Sequence, residues 1–260
     1  MNLLNGKVAL VTGASRGIGV AIAQRLAAEG AEVAVSARSV SADDSPLPGT
    51  IGETAARIAE TGGTARAFPA NLAVAEQRES LVAEVIAAFG RIDILVNNAA
   101  VTYFTPIVEF TAKRQALMFE VQVTAPMHLA QLVLPGMRER GQGWILNISS
   151  RAALHPEPPY GARAKRGGTV YGMCKAALER FTTGLAAEVF DDGVAVNSLA
   201  PNQVVPTPGT LFHKLTTTDD PDAEQPDVMA EAALALCTRP PQELTGRIAF
   251  SQDLLAELQR

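Results

Sequence analysis

Tyr171-Gly172-Met173-Cys174-Lys175 places a phenol and an ammonium four residues apart. On a helix that spacing puts both on one face. A tyrosine near its reference pKa of ~10 exchanges protons poorly at neutral pH, whereas a cation beside it stabilises the phenolate and lowers that pKa. The pair is a candidate acid–base unit that can hand a proton to an oxygen on a reacting carbon. Tyr160 is the rival, but four residues beyond it stands Ala164 rather than lysine, so Tyr171 is preferred. His128, His155 and His213 have no metal-ligand spacing and read as structural or solvated, with no metal expected. His155, in a long polar connection, is the one histidine worth testing. Cys174 has no evident activating base and reads as a small packing residue.

A second chemical feature lies near the N-terminus, in Thr12-Gly13-Ala14-Ser15-Arg16-Gly17-Ile18-Gly19. Glycines at 13, 17 and 19 permit a tight turn and let a pyrophosphate reach backbone N–H groups where a helix begins. The turn follows an apolar run and precedes an amphipathic one, as a dinucleotide site requires. Gly13, Ser15, Arg16, Gly17, Ile18 and Gly19 are therefore candidate cofactor residues. An acidic residue after the second apolar run would hydrogen-bond the adenosine ribose and repel a 2′-phosphate. Here Ala37 and then Arg38 stand at that point. Arg16 and Arg38, with no carboxylate beside them, suit a phosphate, so NADP(H) is preferred, with NAD(H) as the alternative.

The elements that must position these residues alternate along the chain. Val8–Thr12, Glu32–Ala37, Ala65–Phe68, Ile92–Asn97, Trp144–Ser149, Val194–Leu199 and Arg247–Phe250 read as strands. Between them Gly17–Gly30, Thr50–Thr61, Val74–Phe89, Ala112–Met137, Tyr171–Phe190 and Val228–Cys237 read as helices, with a kink or irregularity expected at Pro126. Such alternation predicts an α/β fold, a doubly wound parallel sheet of Rossmann-like type, with residues 1–260 in a single domain. Ser39–Gly49, Arg151–Val170 and Pro201–Asp227 interrupt the alternation as loops. The last two follow strand ends directly and are expected to frame a substrate pocket.

Composition narrows the class. Hydrophobic residues make up 47% and charged residues 19%, ordinary for a chain with a buried core. The net charge of −5, with no like-charge block, speaks against nucleic acid as a partner. No apolar run approaches the ~20 residues of a membrane helix, and the first residues lack the pattern of a secretory signal. Two cysteines, Cys174 and Cys237, suit a reducing compartment, so a cytoplasmic protein is expected. Asn147-Ile148-Ser149 matches a glycosylation sequon but falls inside a predicted strand and is discarded.

The glycine spacing differs from G-x-G-x-x-G and, with Asn97-Asn98-Ala99-Ala100, Asn147-Ile148-Ser149-Ser150 and Tyr171…Lys175, resembles the short-chain dehydrogenase/reductase family. The resemblance covers nearly the whole chain. It implies an oxidoreductase that transfers a hydride between NADP(H) and a carbonyl or secondary alcohol. Ser150 would hold the substrate oxygen beside Tyr171, and Ser149, facing the other way on a strand, is the fallback. The family's fourth catalytic position, an asparagine there, is Gln122 here. Asn71 and Leu72 would lie against the adenine. Asn98, Ala99 and Val121 would line the cofactor, Tyr171 and Lys175 the nicotinamide ribose, and Val204 and Thr207 the nicotinamide amide.

Pro201-Asn202-Gln203-Val204 departs from the family's Pro-Gly, and the stretch from Ser150 to Tyr171 is longer than usual, which fits an insertion within Glu157–Gly168. Together with Leu47-Pro48-Gly49-Thr50-Ile51 and Leu244-Thr245-Gly246-Arg247, these departures resemble the hydroxysteroid dehydrogenase-like proteins. The family's habit of pairing the helices after the fourth and fifth strands implies a homodimer or homotetramer. Arg163, Lys165 and Arg166 form a basic cluster in the insertion, read either as a solvated loop or as an anion contact. A rival class is an NADP(H)-binding sensor or scaffold without turnover, favoured by Gln122 and the altered Pro201-Asn202 segment and opposed by Ser150, Tyr171 and Lys175.

Overall fold

The computed structural model describes residues 2–161 and 165–259. Strand β1 (Val8–Thr12) leads into helix α1 (Gly17–Ala28), β2 (Glu32–Ala37), α2 (Ile51–Glu60), β3 (Thr64–Pro69), α3 (Ala75–Phe89) and β4 (Ile94–Asn97). Helix α4 (Ala112–Phe119), a π-helical turn (Glu120–Thr124) and α5 (Ala125–Glu139) form one long helical stretch before β5 (Gly143–Ile148). Then come α6 (Thr169–Glu188), β6 (Val194–Ala200), α7 (Pro208–Phe212), α8 (Pro226–Thr238), β7 (Ile248–Phe250) and α9 (Ser251–Leu258). The strands form one parallel sheet in the order β3-β2-β1-β4-β5-β6-β7. The order reverses between β1 and β4, and at such a switch point the strands' carboxyl ends open a crevice for ligands.

Alternation along the buried strands sends side chains to opposite faces. Ala9 and Val11 face a layer with Ile22, Leu26, Met229 and Leu236, drawn from α1 and α8. Val8 and Leu10 face the other layer, with Val85, Leu129, Val133 and Leu185 from α3, α5 and α6. Thr50 closes the start of α2 with a capping box, accepting from the Glu53 N–H while the Glu53 carboxylate accepts from the Thr50 N–H.

The long helical stretch departs from expectation in two ways. Its irregularity lies before Pro126, over Glu120–Thr124, because proline has no N–H to donate to the carbonyl four residues back, that of Gln122. Its 29 residues, Ala112–Arg140, are also long and apolar enough to cross a membrane. In this fold Leu129, Val133 and Met137 instead pack into the core against Leu95 and Ile145. The expected loop at Pro201–Asp227 contains α7, and a further helix, α9, follows the last strand.

Candidate active site

The glycine turn is built for close approach. Gly13 and Gly17 have φ of +65° and +59°, conformations that L side chains rarely adopt. A Cβ at Gly13 would lie 2.7 Å from Ala99 Cα, and one at Gly17 2.8 Å from Thr207 Cγ2. A Cβ at Gly19 would meet Asn98 Nδ2 and Gly13 O, each at 2.5 Å. The turn is thus wedged between the end of β4 and the segment after β6. Asn98 Nδ2 donates to Thr12 O (2.9 Å) and Gly13 O (3.1 Å), while Thr12 Oγ1 accepts from the N–H groups of Asn98 and Ala99 (3.1 and 3.2 Å). Arg16 begins α1 without a side-chain cap, and the first turn holds no acidic residue. Its N–H donors therefore suit an anion. Ser15 is buried in the turn, and Ile18 packs onto the core below it.

At the end of β2 the two arginines divide their roles. Arg16 donates to Ser39 Oγ (3.2 Å), Ser45 Oγ (3.0 Å) and Gly49 O (2.9 Å), so its guanidinium fastens the 39–49 loop onto the glycine turn. Burial, and then the charge of Arg38, lower its pKa from the usual value. Both arginines read as phosphate partners in the sequence; in the structure Arg16 is largely committed to this loop, and the exposed Arg38 is the one turned outward. Beside them Leu72 is buried, and Asn71 accepts from the Ala73 N–H through Oδ1 at 3.2 Å.

Helix α6 carries Tyr171 and Lys175 against the end of β5. Gly172 makes this possible, since a Cβ there would lie 2.6 Å from Ala152 O. Ser150 caps the short turn Arg151–Ala153 by accepting from the Ala152 N–H at 3.2 Å. Burial raises the Tyr171 pKa and a side-chain hydrogen bond with Ser150 draws it back. The spacing predicts that the lysine pulls this tyrosine down; in the structure burial prevails. Lys175 is itself buried, donates from Nζ to Ile148 O at 2.8 Å and stands 5.6 Å from the Tyr171 ring centroid. Burial pulls its pKa down to about 8, against the opposing pull of Cys174 and Glu179. Ser149 is excluded as the fallback, because it is buried and donates to Glu179 Oε1 at 2.6 Å, away from Tyr171.

Gln122 lies buried on the π-helical turn, next to Val121. Its Nε2 donates to Val101 O at 2.9 Å, while its Oε1 is buried without a partner. Buried Arg78 pins the first residue of the turn by pairing with Glu120, and also donates to His128 Nδ1 at 3.0 Å and Leu72 O at 2.8 Å.

The approach to Tyr171 is aromatic. The Phe104 ring meets Tyr171 edge-on at 6.0 Å and His213 at 5.3 Å, and His213 meets the exposed Phe212 at 5.3 Å. His213, exposed like His155, is the histidine that the structure brings against Phe104 at the site, and the burial it does have lowers its pKa. Tyr160 is 54% exposed on the loop, which supports Tyr171 over it. Arg163 and Ala164 lie outside the described residues, and Lys165 and Arg166 are exposed.

The unusual Pro201-Asn202 segment has a structural partner that sequence reasoning missed. Buried Glu224 accepts from the Asn202 N–H (3.0 Å), from Ser251 Oγ and from Gln252 Nε2 (3.0 Å), and its own N–H donates to Val204 O at 3.0 Å. Asn202 Oδ1 in turn accepts from the Gln252 N–H at 2.8 Å, in the first turn of α9. Thr207 caps α7 and packs on Gly17. A lone glutamate in a polar loop gave no signal for any of this.

The family model described as short chain dehydrogenase matches residues 7–213. Among curated proteins, the human dehydrogenase/reductase SDR family member 4 is 34% identical over 95% of this chain and 81% of its own. Hydroxysteroid dehydrogenase-like protein 2 of Xenopus laevis is 30% identical over 98% of this chain but 58% of its own, so this chain spans little more than half of that relative. A putative dehydrogenase from Xanthomonas campestris superposes with a TM-score of 0.85 at 36% identity, covering 98% of this chain and 91% of that one. A 3-oxoacyl (acyl-carrier-protein) reductase from Agrobacterium tumefaciens C58 with NADP bound gives 0.80 at 31% identity, covering 95% and 93%. With the family model matching residues 7–213 and relatives matching over most of its length, the chain belongs to the short-chain dehydrogenase family.

Proposed function

We propose that the protein is an NADP(H)-dependent oxidoreductase interconverting a carbonyl and a secondary alcohol, with Ser150, Tyr171 and Lys175 as its catalytic centre. The convergence of Ser150 and buried Lys175 on Tyr171, at the same sheet end as the glycine turn, carries this reading. The bound nicotinamide would supply or accept the hydride. Ser150 holds the substrate oxygen, and Tyr171 gives its proton to that oxygen as negative charge develops there. Lys175 supplies the positive charge that makes the phenolate accessible, and in the oxidative direction Tyr171 takes the proton back. The Gly13–Gly19 turn with the uncapped start of α1 fits a pyrophosphate, and Ala37 followed by exposed Arg38 fits a 2′-phosphate. The buried free thiols of Cys174 and Cys237 agree with a cytoplasmic location. The exposed Met127 on α5 and Met173 on α6 agree with a homodimer or homotetramer paired through those helices.

Cofactor choice is tested at Arg38. Replacing it with alanine removes a charge-assisted contact to the phosphate, a loss of about 1.5–3 kcal/mol, or roughly tenfold or more. Fluorescence titration is expected to show weakened NADPH binding with NADH nearly unaffected. Equal wild-type affinities for the two cofactors would sink the NADP assignment.

The non-catalytic sensor is the second reading, favoured by the partnerless Gln122 Oε1 where the family has asparagine. Gln122→Asn shortens the side chain by one methylene and forfeits its bond to Val101 O, costing about 1 kcal/mol. The expected outcome is a folded protein whose turnover changes by less than roughly tenfold, well short of Lys175→Ala. Activation of a silent wild type by orders of magnitude would favour the sensor.

A further inference from the structure

Two bonds from one face of α6 hold the end of β5. Lys175 Nζ donates to Ile148 O at 2.8 Å, and Ser149 Oγ donates to Glu179 Oε1 at 2.6 Å. Ile148 and Ser149 are consecutive, and the next residue is Ser150. Lys175 and Glu179 are four apart on the helix and share a face. We infer that Glu179 is a positioning residue of the active centre, gripping Ser149 from behind so that Ser150 faces Tyr171, and lying one turn beyond Lys175 as its counter-charge. The inference rests on the oxidoreductase reading above.

The geometry explains why the grip works. Successive residues of an extended segment point to opposite sides, so Ser149 can be anchored while Ser150 remains turned to the site. The Ser149 N–H also donates to Leu199 O at 2.8 Å, so only the side chain's direction is left to fix. Burying an ammonium is costly unless opposite charge and hydrogen bonds compensate it. Cys174 also favours the ammonium, but burial pushes its thiol up to about 11, above the value of about 8 for Lys175, so Glu179 is the group that can carry a full counter-charge where the lysine titrates. Burial also raises the Glu179 pKa, while the bond from Ser149 and the charge of Lys175 favour its ionised form.

Charges on the neighbouring elements are occupied elsewhere. Glu120 pairs with Arg78, Arg114 lies over the Tyr103 ring, Arg151 over the Phe250 ring, and Asp192 pairs with Arg138. Lys113, Arg180, Glu188 and Asp191 are exposed. Tyr171, Cys174 and Glu179 are the titratable groups that face Lys175 from its own helix.

The test is a carbon-13 NMR titration of the cofactor-free protein labelled at the lysine ε-carbons, which is tractable with five lysines and Lys175→Arg for assignment. The Lys175 signal is expected to titrate near about 8 in the wild type. Glu179→Gln removes an anion that favours the ammonium, so its midpoint should fall by about one pH unit. Ser149→Ala keeps the charge and should leave the midpoint in place. In steady state both variants should lose roughly tenfold in kcat while NADPH affinity stays close to wild type. An unmoved midpoint in Glu179→Gln, or full turnover in Ser149→Ala, overturns the inference. The second variant decides the matter if the first does not fold. Failure of the oxidoreductase reading would show separately, as a wild type without NADPH-dependent turnover.

Discussion

Tyr171→Phe should cut turnover at least ~100-fold, the usual scale for losing a positioned general acid, while leaving the fold and NADPH affinity intact. The substitution removes one oxygen and keeps the ring, so the edge-on contact with Phe104 at 6.0 Å survives. The Lys175 bond to Ile148 O is also untouched. The loss should therefore fall on kcat. Tyr160→Phe, on an exposed loop position, is the internal control and should be nearly silent. Steady-state rates and a cofactor titration on the two variants suffice once a substrate is found by screening NADPH oxidation against ketones, acyl-CoA derivatives and quinones. Near-normal turnover in Tyr171→Phe, or abolition in Tyr160→Phe, would move the active centre elsewhere.

Gly19→Ala should disable the cofactor end with comparable force. Its Cβ would sit 2.5 Å from both Asn98 Nδ2 and Gly13 O, well inside contact distance. Gly13 O is backbone of the tight turn, and Asn98 Nδ2 is already spent on Thr12 O and Gly13 O, so neither yields freely. Displacing Asn98 would forfeit those two bonds and deform the turn, at a cost of about 2–4 kcal/mol. The expected result is a lowered melting temperature and NADPH binding weakened roughly 100-fold, read by fluorescence and thermal unfolding. Wild-type affinity in this variant would show that the turn does not cradle the cofactor.

Much of this was legible because parallel strands buried on both faces announce themselves as short runs of valine and isoleucine. β2 falls on Glu32–Ala37 as expected, and α2 at Ile51–Glu60 falls within the helix expected over Thr50–Thr61. Tyr171 and Lys175 could be paired from the sequence because a four-residue spacing is local, whereas Ser150 entered only through the family resemblance, its distance along the chain to Tyr171 being longer than usual. The misses share a different cause. The π-helical turn has no period that the sequence displays, so the irregularity was assigned to Pro126 rather than to the residues whose carbonyls proline leaves unserved. Arg16 with the 39–49 loop, Ser149 with Glu179 and Asn202 with Glu224 are pairings between segments distant in sequence. No local pattern encodes them. His213 was passed over for His155 for the same reason, since its ring contact with Phe104 exists only after the loops fold over the crevice.

The node at Glu224 makes the last helix part of the machinery above the crevice. Its carboxylate takes donors from Asn202, Ser251 and Gln252, and its backbone N–H binds Val204 O, so the stretch after β6 and the start of α9 move as one body. A carboxylate shared in this way acts as a strut: tilting α9 displaces the peptide at Val204 first, and the glycine turn, held by Asn98 on its other side, feels the displacement only through Thr207 against Gly17. Mechanical stress at the C-terminal end would thus reach the substrate side of the crevice first and the pyrophosphate side last.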